Sequence, residues 1–146
     1  MSTPLSGIRV VELSTFVAGP VTARLLADMG AEVIKVEAPS GDGWRGTGTS
    51  YLPRFTKDEN PVFDIYNSGK QHISLNLKAP EGKEAMHRLL EQADVFVTNT
   101  RPAAVSCWCA TIAACLTPLE FCTRSGITNW LLCPRRKTAP CSSLAL

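Results

Sequence analysis

The first 106 residues contain no cysteine, and all six cysteines (Cys107, Cys109, Cys115, Cys122, Cys133 and Cys141) follow Ser106. A secreted disulfide scaffold spreads its cysteines through the fold, so this distribution argues against one. The gaps between them offer no CxxC or Cys/His zinc spacing, and both histidines, His72 and His87, lie far upstream, so no metal is expected. No apolar stretch approaches the ~20 residues that span a bilayer. The opening Met1-Ser2-Thr3-Pro4 lacks the basic and apolar segments of a signal peptide. A formal net charge of +2 over 146 residues gives no reason to expect nucleic acid or an anionic membrane as partner. Absent too are GxSxG, the P-loop, HExxH, and a GxGxxG after the first strand, which removes the standard hydrolase, nucleotide and dinucleotide signatures. The expectation is a cytoplasmic protein with one domain's worth of core.

What is present is organised around Val10–Glu37, VVELSTFVAGPVTARLLADMGAEVIKVE. Val10, Val11 and Leu13 form an apolar run too short for a helix and rich in β-branched residues. Gly19 and Pro20 stop that strand, with Pro20 suited to a first helical position. Val21, Leu25, Leu26 and Met29 recur on one helical face. Gly30 stands where a helix ends in a left-handed residue. Ala31–Glu37 is a nearly continuous buried run through Val33, Ile34 and Val36. Strand, helix and strand make a βαβ unit with a parallel sheet.

Beyond Glu37, a loop rich in Gly, Pro, Thr and Ser runs from Ala38 to Asn60, long enough to suggest a functional excursion. Val62–Tyr66 is a brief apolar segment, and Asn67-Ser68-Gly69-Lys70 reads as a plain turn. Ile73–Leu77 alternates as a half-buried strand. Pro80 opens a second helix, with Glu81 at the favourable end of its dipole and Met86, Leu89, Leu90 and Ala93 on its apolar face. Ala79 is a poor cap for it. Val95–Val97 is a further buried strand. The order predicts an open, Rossmann-like α/β fold with a parallel sheet and flanking helices, occupying residues 1–105. From Ser106 the composition changes to Cys, Leu, Ser, Thr and Pro without a sustained period. Residues 106–146 therefore read as an irregular tail, either divergent and poorly ordered or the product of a shifted reading frame, and the second reading is favoured.

In an open α/β sheet, ligands bind outside the carboxyl ends of the strands. Here those ends are Ser14–Ala18, the residues after Glu37, and Asn99–Arg101. The helix at Gly19-Pro20 offers free N–H groups to phosphate. The plainer alternative is that Ser14-Thr15 turn the chain and Gly19-Pro20 begin a helix. Lys35 and Lys78 read as solvated surface lysines, and Trp44 and Arg45 as residues lining a pocket or a partner surface.

The runs PLSGIRVVELSTFVAGPVTARLLADMGAEVIKVEAPSGDGWR and NSGKQHISLNLKAPEGKEAMHRLLEQADVFVTNTRP resemble the N-terminal part of the family III CoA-transferases, the CaiB/BaiF group. The likeness is to the branch acting on 2-hydroxy and aryl acids such as phenyllactate. It implies an enzyme that moves CoA from an acyl-CoA to a free carboxylic acid, working as an interlocked, ring-like homodimer. By resemblance the CoA-contacting turn falls on Thr15, Phe16, Val17 and Ala18. Leu75 and Lys78 match a strand end and a lysine near the nucleotide, and Asn99 and Thr100 match a further contact pair. A lysine point charge at Lys78 suits phosphate oxygens.

The family's catalytic aspartate, which forms acyl-anhydride and aspartyl-thioester intermediates, lies well downstream of the Arg101-Pro102 pair. Asp28, Asp42, Asp58, Asp64 and Asp94 do not occupy that place. The expectation is a truncated enzyme portion, inactive alone because the covalent route lacks its acceptor. The rival expectation is a module that binds CoA, another nucleotide or a partner protein without catalysis.

Overall fold

A computed structural model describes residues 3–46 and 60–100. The middle of the long loop, the pair Arg101-Pro102 and the cysteine-bearing tail lie outside the described residues. Four strands, β1 (Arg9–Leu13), β2 (Glu32–Glu37), β3 (Gln71–Ser74) and β4 (Val95–Thr98), form one sheet in the order β3-β2-β1-β4, and every pairing is parallel. Helices α1 (Ala18–Asp28), α2 (Pro61–Asn67) and α3 (Pro80–Glu91) lie between them in sequence. This is the expected open α/β fold with flanking helices.

The sheet is clad on both faces because successive strand residues point to opposite sides. Val11, Leu13, Val36 and Phe96 meet Met86 and Leu90 of α3 on one face. Val10, Val33 and Val97 meet Ala23, Leu26 and Ala27 of α1 on the other. Each large apolar side chain buried here, such as Phe96 or Met86, contributes about 1.5–3 kcal/mol relative to exposure.

Local chemistry explains both the agreements and the differences. Gly30 adopts φ +98° and ends the α1 turn as expected. The α3 helix begins at Pro80 with no side-chain cap from Ala79 and buries Met86 and Leu90 as expected. Helix α1, however, starts at Ala18, so Pro20 sits inside the first turn rather than at its first position. Its sheet-facing side is Ala23 with Leu26 and Ala27, whereas Leu25 (54%) and Met29 (42%) stay exposed. The small alanines set the docking face, leaving the larger residues outside.

The segment Val62–Tyr66 lies within α2, whose N-cap Asn60 accepts a hydrogen bond from Phe63 N at 3.0 Å with Pro61 following. Strand β3 ends at Ser74, earlier than the alternation to Leu77 suggested, because Asn76 turns the chain. Its side chain accepts from Lys78 N at 3.1 Å and its carbonyl from Ala79 N at 3.0 Å.

The chain runs β1 to β2 to β3 in one direction across the sheet, then returns past β1 to lay down β4 on its other side. The reversal at β1 and β4 is a topological switch point, and the crevice beyond their carboxyl ends is where such sheets hold ligands.

Candidate functional site

At the switch point the ends of β1 and β4 are stitched together. Thr98 Oγ1 donates to Leu13 O at 2.7 Å, within the register pair Leu13–Thr98. Immediately beyond, Asn99 Nδ2 donates to Thr15 O at 2.7 Å while Asn99 Oδ1 accepts from Thr15 N at 3.1 Å. Thr100 N turns back to Thr98 Oγ1 at 3.1 Å. One amide side chain thus satisfies both polar groups of the Thr15 backbone, fixing the turn from the neighbouring strand.

That turn is strained. Phe16 adopts φ +65°, a left-handed conformation that costs a residue with a side chain on the order of 1–3 kcal/mol and clusters at functional sites. The residue is 58% exposed, and its ring meets Trp44 edge-on with centroids 6.3 Å apart. Trp44 in turn lies 6.3 Å from Tyr66 of α2. Behind the turn, Gly19 packs so closely on Ser14 that a β-carbon would collide with the serine side chain and come within 3.6 Å of Asn99 Cγ. Val17, the N-cap of α1, gives the helix no side-chain cap, and no acidic residue occupies its first turn.

Under this turn lies a buried ionic cluster on the α1 face of the sheet. Lys35 is fully buried, contrary to its reading as a solvated lysine. It donates to Glu12 Oε1 at 3.0 Å and to Ser14 O at 2.9 Å, and pairs with Asp42 Oδ2 at 3.0 Å. Lys70 is no plain turn residue either. Its ammonium donates to Glu12 Oε2 at 2.7 Å, to Pro20 O at 2.8 Å and to Asn67 Oδ1 at 3.0 Å. Burial is the largest influence on Lys70 and depresses its pKa, with Glu12 opposing. A sequence signal existed: Glu12 and Lys35 are register partners on adjacent strands, and a lysine inside a run buried on both faces requires an acid within reach.

A second charged group anchors the loop after β2. Arg45 forks onto Glu37, Nε to Oε2 at 2.7 Å and Nη2 to Oε1 at 2.8 Å, while its guanidinium lies 4.0 Å over the Phe63 ring. His72 Nδ1 lies 2.9 Å from Glu37 Oε1, and Asp42 N donates to Glu37 Oε2 at 3.0 Å. Burial would raise the Glu37 carboxyl, but hydrogen bonds from Arg45, His72 and the Asp42 amide outweigh it and hold the group well below the usual carboxylate range. The same carboxylate raises Arg45. These contacts fix the loop that carries Trp44 against Phe16.

The structure therefore places Thr15, Phe16, Val17 and Ala18 beside Asn99 and Thr100, past the carboxyl ends of the adjacent strands β1 and β4. Leu75 and Lys78 lie elsewhere, past the carboxyl end of β3, two strands from β1 and so about 9–10 Å across the sheet. The Leu75 side chain packs against the α3-side core, its N–H donating to Glu37 O at 2.9 Å, and Lys78 is exposed. Among the described residues no group of three His, Cys, Asp or Glu could hold a metal ion, and no helix is long and apolar enough to cross a membrane.

Comparison with known proteins agrees with this architecture. Residues 5–116 match the model of CoA-transferase family III. The chain is 48% identical over 101 residues to an (R)-2-hydroxy-4-methylpentanoate CoA-transferase of Clostridioides difficile, covering 69% of this chain and 25% of that protein. It is 44% identical over 100 residues to a cinnamoyl-CoA:phenyllactate CoA-transferase of Clostridium sporogenes, covering 68% and 24%. The crystal structure of a CAIB/BAIF family protein from Brucella suis superposes with a TM-score of 0.67 at 37% identity, over 74% of this chain and 29% of that one. The chain spans about a quarter of the length of the curated relatives it matches. With the family model matched over most of its length, this chain belongs to CoA-transferase family III.

Proposed function

We propose that this chain supplies the CoA-holding face of an enzyme that transfers CoA from an acyl-CoA to a 2-hydroxy or aryl carboxylic acid. The observation that carries the reading is the reciprocal pairing of Asn99 with Thr15, which fixes a strained turn at the switch point of a family III sheet. The main chain of Thr15–Ala18, at the uncapped start of α1, offers N–H groups and the positive end of a helix dipole to CoA oxygens. Asn99 and Thr100 border the same crevice. Exposed Lys78, past the end of β3 two strands from β1, would meet a phosphate farther along the ligand. The acid class rests on the relatives named for 2-hydroxy-4-methylpentanoate and phenyllactate.

The reading also holds that this chain alone does not turn over. Covalent CoA transfer needs a free carboxylate to take the acyl group, and three of the described aspartates hold partners within the fold. Asp28 holds Arg24 at 3.0 Å, Asp42 pairs with buried Lys35, and Asp94 accepts from Arg9 N at 2.9 Å. Asp64 sits in the first turn of α2. On this reading the nucleophile lies outside the described residues.

Calorimetric titration of the purified chain with CoA and with pantetheine tests this. Saturable CoA binding is expected, with Lys78→Met weakening CoA more than pantetheine, and no CoA exchange between an acyl-CoA and a 2-hydroxy acid. A Kd for CoA weaker than ~1 mM, or about −4 kcal/mol, would refute the binding role. Exchange above background would refute the inactivity.

A further inference from the structure

The segment between Ser14 and Pro20 is gripped from below at both ends. Lys35 Nζ donates to Ser14 O at 2.9 Å, where the chain leaves β1. Lys70 Nζ donates to Pro20 O at 2.8 Å, inside the first turn of α1. One carboxylate joins the two grips, since Glu12 Oε1 accepts from Lys35 at 3.0 Å and Glu12 Oε2 accepts from Lys70 at 2.7 Å. Ser14 Oγ adds a third donor to this carboxylate, at Oε1 2.5 Å away. Asp42 flanks Lys35 and Asn67 flanks Lys70, each at 3.0 Å. The side chains of Glu12, Lys35 and Lys70 have no exposed surface.

We infer that Glu12, Lys35 and Lys70 form a buried clamp that positions the Thr15–Gly19 turn, holding its left-handed geometry at Phe16 ready for a ligand. None of the three reaches the crevice, so they are positioning residues and not contacts. Two physical arguments favour this over a purely stabilising role. Buried ion networks are commonly no more stabilising than apolar side chains of similar volume, so stability alone gives little reason to place two acids and two lysines here. A left-handed phenylalanine persists only where its surroundings over-determine the backbone. The two carbonyls the lysines hold bracket that residue on either side, and Asn99 holds Thr15 from the adjacent strand.

The test is residue-resolved hydrogen exchange on the whole chain, comparing wild type with Lys35→Met and with the volume-conserving Glu12→Gln. The glutamine amide cannot accept from both lysines, so one grip is lost whichever way it points. In both variants the amides of Thr15, bonded to Asn99, and of Val21, bonded to Val17 O, should exchange about tenfold faster, while those of α3 and β4 keep their protection. The nuclear Overhauser contact between the Phe16 and Trp44 rings should weaken with them. Unchanged exchange at Thr15 and Val21 in either folded variant overturns the clamp. So does a uniform loss of protection in Glu12→Gln, which would mark a general stabilising role.

The ligand part of the inference rests on the CoA reading, and titration separates the two. Weaker CoA binding in the variants joins them. Looser turns in the variants with no CoA binding by wild type would leave the clamp standing and remove CoA as its ligand.

Discussion

Asn99 offers a perturbation in which three effects of similar size compete. In Asn99→Ala both hydrogen bonds to the Thr15 backbone vanish. Each is worth about 0.5–1.5 kcal/mol net, and Thr15 is exposed enough to bond water instead, so a loss of about 1 kcal/mol is expected. Asn99→Asp keeps the shape and the bond from Thr15 N, but sets a carboxylate oxygen where Nδ2 stood, 2.7 Å from Thr15 O. Two acceptors cannot share that distance, so the carboxylate rotates away or forces the turn open.

Against this stands the start of α1, whose dipole favours a nearby anion by about 0.3–1 kcal/mol. The repulsion should win, making Asn99→Asp about 1 kcal/mol less stable than Asn99→Ala. For a folded unit of this size that is roughly 4–8 °C in Tm. Urea and thermal denaturation followed by circular dichroism measure it. CoA affinity should fall in both variants, more steeply in Asn99→Asp and most at low salt, where an added negative charge repels phosphate best. Asn99→Asp equal to wild type, or more stable than Asn99→Ala, would show that the reciprocal pairing is not what fixes the turn.

Two further outcomes follow from the packing and the charges. Gly82→Ala in α3 should gain about 1 kcal/mol of helix propensity. Its methyl would meet the backbone carbonyl of Asn76, which cannot swing aside as a side chain could. An overpacking cost of about 1–3 kcal/mol should leave the variant less stable, and a raised Tm would contradict the close approach. Glu37→Gln should be less stable than wild type near neutral pH, by a margin that shrinks under acid. A carboxyl lowered from 4.5 in the folded state stabilises fully above that pH. As pH falls below it the unfolded chain binds the proton first, so the advantage declines toward the folded pKa. A margin independent of pH between 5 and 2 would argue against the Arg45–Glu37–His72 group.

The sheet was legible because its strands carry β-branched runs and its helices are punctuated by Gly30 and Pro80, signals that survive without tertiary context. Helix α2 was hidden by brevity: its residues, Pro61–Asn67, span about two turns, too few for a period to show, though Asn60-Pro61 is a cap followed by a first-turn proline. That Ser14–Ala18 and Asn99 follow the carboxyl ends of strands was legible from the pattern, whereas the pairing of Asn99 with Thr15 arises only once β4 lies beside β1. The ionic cluster was harder to read. Lys35 stands in a run read as buried, but its partner Glu12 is found only through the strand register, and Lys70 is brought to Glu12 from 58 positions along the chain.

That cluster follows from how the sheet divides its labour along the strand axis. On the α1 face, Val10 and Val33 at the amino ends pack on Ala23 and Leu26, a dry contact needing no polar partner. Two residues further along the same face come Glu12 and Lys35, then Ser14 and Glu37, so polarity rises toward the carboxyl edge while burial persists. An apolar layer continued to that edge would have left the Ser14 carbonyl to find a partner within a strained turn. Lysines answer that need because each ammonium carries three donors on a long stem and can serve a carbonyl and a carboxylate together. Their charges then require Glu12 and Asp42, and Glu12 binds both lysines into one unit. The turn above can thus hold a conformation its own sequence disfavours, since Phe16 is fixed through neighbours that never touch its ring.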